Sequence, residues 1–280
     1  MGSNVSGKVA LVTGGASGIG AALATRLANN GAEVWIADRQ VGPAEELAQR
    51  LNSSGRRAHA IELDVRSYPA FECAVAEAVQ QAGRIDYLFN NAGIAIAKEI
   101  DSYTLDDWNN ILDVNLRGVV HGIQAVYPIM IRQHSGHIVN TASLAGLCAT
   151  PGHGAYTATK HAVVGISKTL HIEAERHGVK VSVLCPGAVR TPILTGMYGR
   201  LPPNVTESEV MKKIWEPVRP MAPDAFAERA LRAVLRGDVI IVVQAKYKAA
   251  WYLERLSPAL SMRATKGMLK RQREIESATS

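Results

Sequence analysis

The sequence predicts an α/β fold in which a parallel sheet is covered by helices on both faces. Short apolar, β-branched runs alternate with longer helical patterns from residue 8 to residue 243, and strict alternation gives parallel strands joined by right-handed crossovers. The 280 residues are 47% hydrophobic but only 5% aromatic, which suits aliphatic strands buried between alanine-rich helices. A glycine-rich turn joins the first strand to the first helix.

The predicted elements follow one another in a regular order. We expect strands at residues 8–12, 33–37, 57–63, 86–90, 137–141, 179–185 and 238–243. We expect helices at residues 18–30, 43–53, 69–82, 105–133, 155–177 and 224–236. Glycines at 31, 55, 83 and 178 directly follow helical runs, where a left-handed residue commonly ends a helix.

The positive charge is concentrated at the C-terminal end. The net charge is +6, but residues 246–280 contain eight Lys or Arg against three Glu. The preceding 245 residues carry 23 basic and 22 acidic groups, so the body is nearly neutral. A basic tail alone provides no recognition module, and we expect no nucleic-acid partner.

Cysteines and histidines favour a reduced, metal-free protein. Cys73, Cys148 and Cys185 are odd in number and widely spaced, so we expect reduced thiols in the core and a cytoplasmic location. The first apolar run ends at a glycine turn, and no run approaches the length of a membrane span. His134 and His137 have no third ligand in view, and we expect no metal site.

The turn after the first strand has the pattern of a phosphate-binding loop. It spans Thr13 to Gly20 with glycines at 14, 15, 18 and 20. Glycine allows a tight turn and a close approach of the backbone, and free amides at the start of the following helix can face a pyrophosphate. The strand–turn–helix context predicts a dinucleotide site.

Asp38 bears on the identity of the dinucleotide. It ends the second strand, twenty positions after Gly18, where a carboxylate can accept hydrogen bonds from the ribose hydroxyls and repel a 2′-phosphate. The neighbouring Arg39 could instead receive a 2′-phosphate. We favour NAD, with NADP as the alternative.

Six ordered motifs resemble the classical short-chain dehydrogenase/reductase family. They are Thr13-Gly-x-x-x-Gly-x-Gly20, Asn90-Asn-Ala-Gly93, Asn115, Ser143, Tyr156-x-x-x-Lys160 and Pro186-Gly-x-Val189-x-Thr191. The resemblance covers about two-thirds of the chain. It implies a single Rossmann-type, doubly wound domain with a seven-stranded parallel sheet in the order 3-2-1-4-5-6-7, and a homodimer or homotetramer.

The resemblance also assigns roles to individual residues. It implies that the catalytic residues are Asn115, Ser143, Tyr156 and Lys160. Together with the glycine turn, it gives a cofactor-binding set of Gly14, Ser17, Gly18, Ile19, Gly20, Asp38, Arg39, Asp64, Val65, Asn91, Ala92, Gly93, Tyr156, Lys160, Pro186, Gly187, Val189 and Thr191. The substrate-binding set is Ser143, His153, Tyr156, Ile193, Leu194 and Met197. His153 is either a wall of the pocket or a residue of a surface loop.

The spacing of Tyr156 and Lys160 favours acid–base chemistry. A free phenol titrates near pH 10, and a nearby cation lowers its pKa. Residues four apart share one face of a helix, so Lys160 can stabilise the Tyr156 phenolate and bring it towards the working pH. Ser143 would hold the substrate oxygen, and Asn115 would position a water near Lys160.

We therefore expect an NAD(H)-dependent oxidoreductase that interconverts an alcohol and its ketone or aldehyde. Residues 191–223, predicted as a lid, carry apolar side chains that favour a hydrophobic secondary alcohol. The alternatives are an NADPH-dependent carbonyl reductase and a non-catalytic dinucleotide-binding sensor.

The C-terminal region departs from the common family pattern. After the seventh strand the chain has Tyr247, Trp251 and Tyr252 in place of Asp-Gly-Gly, as in family members with C-terminal extensions, some of which act on lipophilic alcohols. We assign residues 1–245 to the catalytic domain and 246–280 to a basic, aromatic extension. We favour packing of the extension on its own subunit or a partner over contact with a membrane surface.

Overall fold

The sheet predicted from the sequence is present, with its strand order confirmed. The computed structural model describes residues 5–196, 206 and 211–277. Its parallel strands are β1 Val9–Thr13, β2 Glu33–Asp38, β3 Arg57–Glu62, β4 Tyr87–Asn90, β5 Gly136–Thr141, β6 Val179–Leu184 and β7 Ile240–Ile241. They lie in the order β3-β2-β1-β4-β5-β6-β7. The order reverses between β1 and β4, which opens a crevice at the carboxyl ends of the strands.

Helices cover both faces of this sheet. The α-helices are α1 Gly18–Asn29, α2 Val41–Ser53, α3 Tyr68–Ala82, α4 Leu105–Leu112, α5 Gly118–Gln133, α6 Gly154–Ala174, α7 Ile193–Gly196, α8 Pro223–Arg236, α9 Ala245–Leu256 and α10 Pro258–Ser277. Among the described residues, no helix is both long enough and apolar enough to cross a membrane.

Alternate residues of the strands enter two separate cores. In β1, Ala10 and Val12 pack with α1, α2 and α8, including Phe226 of α8. Leu11 faces the opposite side, where it packs with α3, α5 and α6, including Phe71 of α3. Side chains alternate along a strand, so burial on both faces explains the continuous apolar runs of the sequence.

Three local expectations are corrected. The helix predicted at 105–133 contains a π-helical turn at Asp113–Arg117 between α4 and α5. The seventh strand is confined to Ile240–Ile241, because only these residues pair with β6. Cys73, expected in the core, is exposed, whereas Cys148 and Cys185 are buried free thiols.

The C-terminal extension begins with a contact on its own subunit. The Tyr247 ring of α9 lies against Gly187, so closely that a Cβ at position 187 would overlap the ring. Gln244, at the start of the same helix, is buried. The inner face of α9 therefore packs behind the Pro-Gly turn.

Candidate active site

The glycine turn needs glycine at three of its positions. Gly14 has a φ of +62°, and a Cβ there would lie 2.8 Å from the Cα of Ala92. A Cβ on Gly20 would overlap the Gly14 carbonyl oxygen. Gly18 has a φ of +53°, and a Cβ at this position would lie 3.1 Å from Cγ2 of Thr191. The turn thus approaches the loops after β4 and β6 closely enough to form a cradle for a dinucleotide.

Thr13 joins the turn to the end of β4. Its Oγ1 accepts hydrogen bonds from the amides of Asn91 at 3.0 Å and Ala92 at 3.1 Å. Asn91 in return donates Nδ2 to the carbonyl oxygens of Thr13 at 3.1 Å and Gly14 at 3.3 Å. The sequence motif begins at Thr13 but does not indicate a role for its side chain. Its hydroxyl aligns the two loops that would hold the cofactor.

Asp38 is oriented by backbone amides at the edge of the crevice. Its carboxylate accepts hydrogen bonds from the amide of Ala16 at 3.1 Å and that of Gln40 at 3.0 Å. Arg39 beside it is exposed and forms no ion pair within the described part of the chain. The carboxylate is therefore fixed next to the glycine turn.

Asp64 and Val65 already have partners within the protein. Arg66 donates Nη2 to Asp64 Oδ2 at 2.5 Å, and this hydrogen bond is the main reason why the pKa of Asp64 lies below its usual value. The Val65 carbonyl oxygen contacts Nδ1 of His121 at 2.8 Å. A bound adenine would have to share Asp64 with Arg66.

The segment after β6 is held in place on two sides. The Pro186 carbonyl accepts a hydrogen bond from the amide of Leu144 at 2.8 Å, and Val189 is buried and bridges to Met221. Thr191 donates Oγ1 to the Val189 carbonyl at 3.2 Å. These contacts bring Thr191 to the mouth of the glycine turn.

Ser143 and Tyr156 meet through their hydroxyl groups. Ser143 lies two residues beyond β5, where its Oγ accepts a hydrogen bond from the amide of Ala145 at 3.1 Å. Tyr156 lies in the first turn of α6, and its phenol is close enough to the Ser143 hydroxyl for that hydroxyl to act against the rise in the pKa of Tyr156 that burial causes. The two hydroxyl groups predicted to hold the substrate oxygen are thus adjacent.

Lys160 is buried one turn further along α6. Its side chain is 3% exposed, and Nζ donates to the Thr141 carbonyl at 2.8 Å. Nζ lies 5.5 Å from the centroid of the Tyr156 ring. Burial lowers the pKa of Lys160 from 10.5 to about 8, because the charged form loses its hydration.

The electrostatics of Tyr156 differ from the sequence expectation. Burial raises the pKa of Tyr156, the hydrogen bond with Ser143 opposes this rise, and the neighbouring Cys185 adds to it. Cys185 is itself fully buried, and burial raises the pKa of its thiol to about 12. The residues of the chain therefore hold Tyr156 protonated at neutral pH, whereas its spacing from Lys160 had predicted a lowered pKa.

Asn115 lies inside the π-helical turn and joins two loops. Its Oδ1 accepts from the amide of Ile94, and its Nδ2 donates to the Ile94 carbonyl, both at 2.8 Å. Nδ2 also lies 3.4 Å from Oγ1 of Thr159. A Cβ on Gly93 would lie 3.3 Å from Asn115 Oδ1 and 3.5 Å from Lys160 Nζ. Asn115 is thus close to Lys160, with Gly93 between them.

An apolar cluster forms the other side of the Tyr156 ring. Its members are Ala95, Ala97, Tyr156, Ile193, Leu194, Met211 and Trp215. Trp215 donates Nε1 to the Leu194 carbonyl at 2.8 Å, which ties residues 211–215 to α7. Met197, predicted to bind substrate, lies outside the described residues.

His153 is buried at the start of α6. Its Nδ1 lies 3.2 Å from the Pro151 carbonyl, and burial lowers its pKa. It is therefore not an exposed loop residue, and its contact with substrate stays a prediction. Within the described residues, no three His, Cys, Asp or Glu side chains lie close enough together to hold a metal ion.

Comparisons with known proteins identify the family of this chain. The family described as short chain dehydrogenase matches residues 8–198. Oxidoreductase UcpA of Salmonella typhimurium is 37% identical over 238 residues, which cover 84% of this chain and 89% of UcpA. The 2,5-dichloro-2,5-cyclohexadiene-1,4-diol dehydrogenase LinX of Sphingobium indicum is 36% identical over 222 residues, covering 78% and 87% of the two chains.

A solved structure agrees as well. The short chain dehydrogenase/reductase of Burkholderia phymatum in complex with NAD superposes with a TM-score of 0.82 at 29% identity, over 92% of this chain and 96% of that one. The motifs, the strand order and the family match all agree, and the chain belongs to the short-chain dehydrogenase/reductase family of oxidoreductases.

Proposed function

We propose that this oxidoreductase uses NAD(H) to interconvert a hydrophobic secondary alcohol and its ketone, with Tyr156 as the general acid and base. The observation that carries the proposal is the cluster of Ser143, Tyr156 and Lys160 beside the glycine turn. The Ser143 hydroxyl is close enough to the phenol to influence its pKa, and Lys160 is buried with Nζ 5.5 Å from the ring centroid. A surface pair with the same spacing would have neither property.

The side chains divide the work of proton transfer. A bound nicotinamide supplies the hydride donor or acceptor and, when oxidised, a positive charge. Ser143 Oγ orients the substrate oxygen beside the Tyr156 hydroxyl. Tyr156 gives its proton to a carbonyl oxygen in reduction and removes the carbinol proton in oxidation. Its raised pKa suits the first of these roles.

Lys160 and Asn115 support Tyr156. The Thr141 carbonyl fixes the Lys160 ammonium behind the phenol, where its charge favours the phenolate formed by proton loss. Asn115 is held by both backbone groups of Ile94, so it can position the Gly93 loop and a water beside Lys160.

NAD is the preferred cofactor in this proposal. The Asp38 carboxylate is fixed by the amides of Ala16 and Gln40, in the position where a 2′-phosphate would meet negative charge. The Burkholderia phymatum relative was solved with NAD. The exposed Arg39 favours the second candidate, an NADPH-dependent carbonyl reductase.

Asp38→Asn should weaken the preference for NAD. Asparagine can still accept the Ala16 hydrogen bond, but it removes the charge that opposes a 2′-phosphate, so the NADH to NADPH ratio of kcat/KM should fall about 10- to 100-fold. Steady-state kinetics with both cofactors measure this ratio, and Arg39→Ala is the control expected to move it in the opposite direction. A wild-type ratio at or below one would contradict the NAD assignment and favour the carbonyl reductase.

The substrate in this proposal is apolar. The cluster around Tyr156 contains alanines, Ile193, Leu194, Met211 and Trp215, an apolar lining that suits an apolar ligand. LinX is by its name a dehydrogenase of a chlorinated cyclic diol. These observations support a cyclic or otherwise bulky secondary alcohol.

Trp215→Ala should raise KM for bulky apolar substrates by about 10- to 100-fold and change kcat less. The substitution removes an aromatic wall and releases residues 211–215 from the Leu194 carbonyl. Trp215→Phe keeps most of the apolar surface and should give a smaller rise in KM. Equal losses of kcat for small and bulky substrates would show that Trp215 supports the fold and not substrate binding.

The reaction is tested by a screen of NAD⁺ and NADP⁺ reduction over primary, secondary, cyclic and steroidal alcohols. We expect turnover with at least one apolar secondary alcohol. Retained NADH binding without turnover over the whole panel would contradict the proposal and favour the dinucleotide-binding sensor.

We further propose that the protein is a cytoplasmic homo-oligomer. The helices α5 and α6 are 16 and 21 residues long, enough to pair with their copies in a second subunit. Light scattering of the purified protein tests this, and a monomer at micromolar concentration would contradict it.

A further inference from the structure

Part of the C-terminal extension packs on the body of the protein, and part does not. Tyr247 covers Gly187, but several large apolar side chains around the junction of α9 and α10 are exposed. Seven large apolar side chains are exposed among the described residues. Four of them belong to this junction: Tyr252, Leu256, Leu260 and Met262. Such a concentration within eleven residues is the mark of an interaction surface.

Exposed cations accompany these apolar side chains. Between residues 246 and 266 the basic residues are Lys246, Lys248, Arg255, Arg263 and Lys266, and all are exposed. The acidic residue in this stretch is Glu254, which is half-buried. Burial raises the pKa of the Cys148 thiol, and the nearby Glu254 carboxylate adds to that rise. The outward face of the junction is therefore basic as well as apolar. Lys246 instead donates a hydrogen bond to the Val218 carbonyl and lies over the inward-facing Tyr247 ring. We call the other eight residues, the four apolar and the four basic, the docking surface.

A basic groove adjoins the docking surface. It has a volume of about 290 Å³ and lies between α8, β7 and α9. Its wall contains Trp251 and four basic side chains against one carboxylate: Arg229, Arg232, Arg236, Lys248 and Asp238. Arg232 pairs with Glu228, and Arg236 pairs with Asp238. Within the described chain, Arg229 and Lys248 form no ion pair, so the groove offers two uncompensated cations to an anion.

Trp251 connects the groove to the docking surface. It lines the groove, and its ring stacks on Tyr252 with the centroids 5.3 Å apart. The Arg255 guanidinium lies 5.6 Å from the same indole ring. Groove, aromatic pair and exposed cation thus form one continuous feature.

We propose that this feature docks the protein on a membrane whose phospholipids carry a net negative charge. Basic side chains attract anionic headgroups at the surface, and exposed aromatic and aliphatic side chains enter the boundary between headgroups and acyl chains. The groove accepts one headgroup phosphate between Arg229 and Lys248. The inference depends neither on the chemistry at Tyr156 nor on the choice of cofactor.

Charge argues against two other occupants. A symmetric dimer would place the docking surface against its own copy, so that four cations met four cations. A nucleic acid would use the cations and the aromatic pair, but its polyphosphate backbone would gain nothing from Leu256, Leu260 and Met262. An anionic membrane uses both the charged and the apolar side chains.

Flotation of the full-length protein with lipid vesicles tests the proposal. Vesicles contain phosphatidylcholine alone or with about one-third phosphatidylglycerol, and binding should be at least tenfold stronger to the anionic vesicles and fall with added salt. The Leu256→Glu, Leu260→Glu double variant should lose at least tenfold in partition, and Arg229→Glu, Lys248→Glu should lose a similar factor. Leu105→Glu is the matched control, because Leu105 is 80% exposed and Leu256 84% exposed. Thermal unfolding confirms that each variant is folded.

Each outcome decides the question. Binding to anionic vesicles that both double variants lose and Leu105→Glu retains would support the proposal. Equal binding to both vesicle types, or anionic binding that survives in either double variant, would overturn it. If the protein bound neither type of vesicle and formed a dimer that dissociated in the Leu256→Glu, Leu260→Glu variant, the surface would be assigned to a second copy. Tight binding of a duplex oligonucleotide without vesicle binding would assign it to nucleic acid.

Discussion

Tyr156→Phe is expected to reduce kcat by about 10²- to 10⁴-fold or more, the usual contribution of a general acid–base group. Phenylalanine keeps the ring that packs with Leu194 and Trp215, so the apolar wall is preserved. It removes the hydroxyl group next to Ser143, and with it the proton that would be exchanged with the substrate oxygen. Turnover with the best alcohol from the screen measures the effect, while NADH binding by fluorescence should change little.

The control for this variant is another tyrosine. Tyr127→Phe alters a tyrosine of α5 remote from the glycine turn and should retain wild-type turnover. If Tyr156→Phe also retained wild-type turnover with a good substrate, Tyr156 would not be the acid–base group. If it abolished NADH binding as well, its role would be structural.

The fold was predictable because its signals are local. Each strand is a short β-branched run, and glycine ends several helices in the left-handed region, as at Gly31, Gly83 and Gly178. The π-helical turn was not predictable, because it accompanies a contact between Asn115 and Ile94, 21 positions apart. The predicted strand at 238–243 is also shorter in the structure, because only Ile240 and Ile241 pair with β6, and pairing with a distant strand cannot be read from the local sequence.

The composition of the site was predictable, but not its electrostatics. Ordered motifs placed Ser143, Tyr156 and Lys160 together, since their spacing reflects strand ends and one helix face. The raised pKa of Tyr156 depends on burial beside Cys185, which no spacing rule reports.

Contacts between distant segments were also missed. Thr13 joins two loops 78 positions apart, and Tyr247 covers Gly187 from the extension. The sequence does not distinguish the Thr13 hydroxyl or the Tyr247 ring from other side chains of the same type. The role of each arises only when distant segments come together in the fold. A motif therefore identifies the residues that do chemistry more readily than those that position them.

Lys160→Met is expected to abolish most activity and to change how stability depends on pH. Methionine has a similar length and suits a buried site, but it carries no charge to favour the Tyr156 phenolate. We expect a loss of kcat of at least about 10²-fold. The effect on stability should be the opposite, a gain. Burial of the Lys160 ammonium lowers its pKa from 10.5 to about 8, so the wild-type side chain opposes folding at any pH at which it is charged.

The direction in which stability changes with pH follows from how many protons Lys160 binds in the folded and unfolded states. At about pH 7 Lys160 is charged in the folded and unfolded states, and the pKa difference corresponds to about 3 kcal/mol against folding. As the pH rises through the folded pKa, the native protein loses this proton first. The unfolded chain keeps it up to its own pKa, so the wild-type free energy of unfolding rises. The variant has no such group, and relative to it the wild type should gain on the order of 2 kcal/mol between about pH 7 and about pH 10.

Denaturant unfolding of both proteins across this pH range measures the difference directly, because other titrating groups are shared and cancel. The hydrogen bond from Nζ to the Thr141 carbonyl is lost in the variant at every pH, so it shifts the two curves by a constant and leaves their relative slope unchanged. Lys168→Met, on the outer face of the same helix, should give curves parallel to those of the wild type. Parallel curves for Lys160→Met as well would mean that Lys160 keeps an ordinary pKa in the folded protein. The ammonium would then be hydrated, and the buried charge on which the proposed proton transfer depends would not exist.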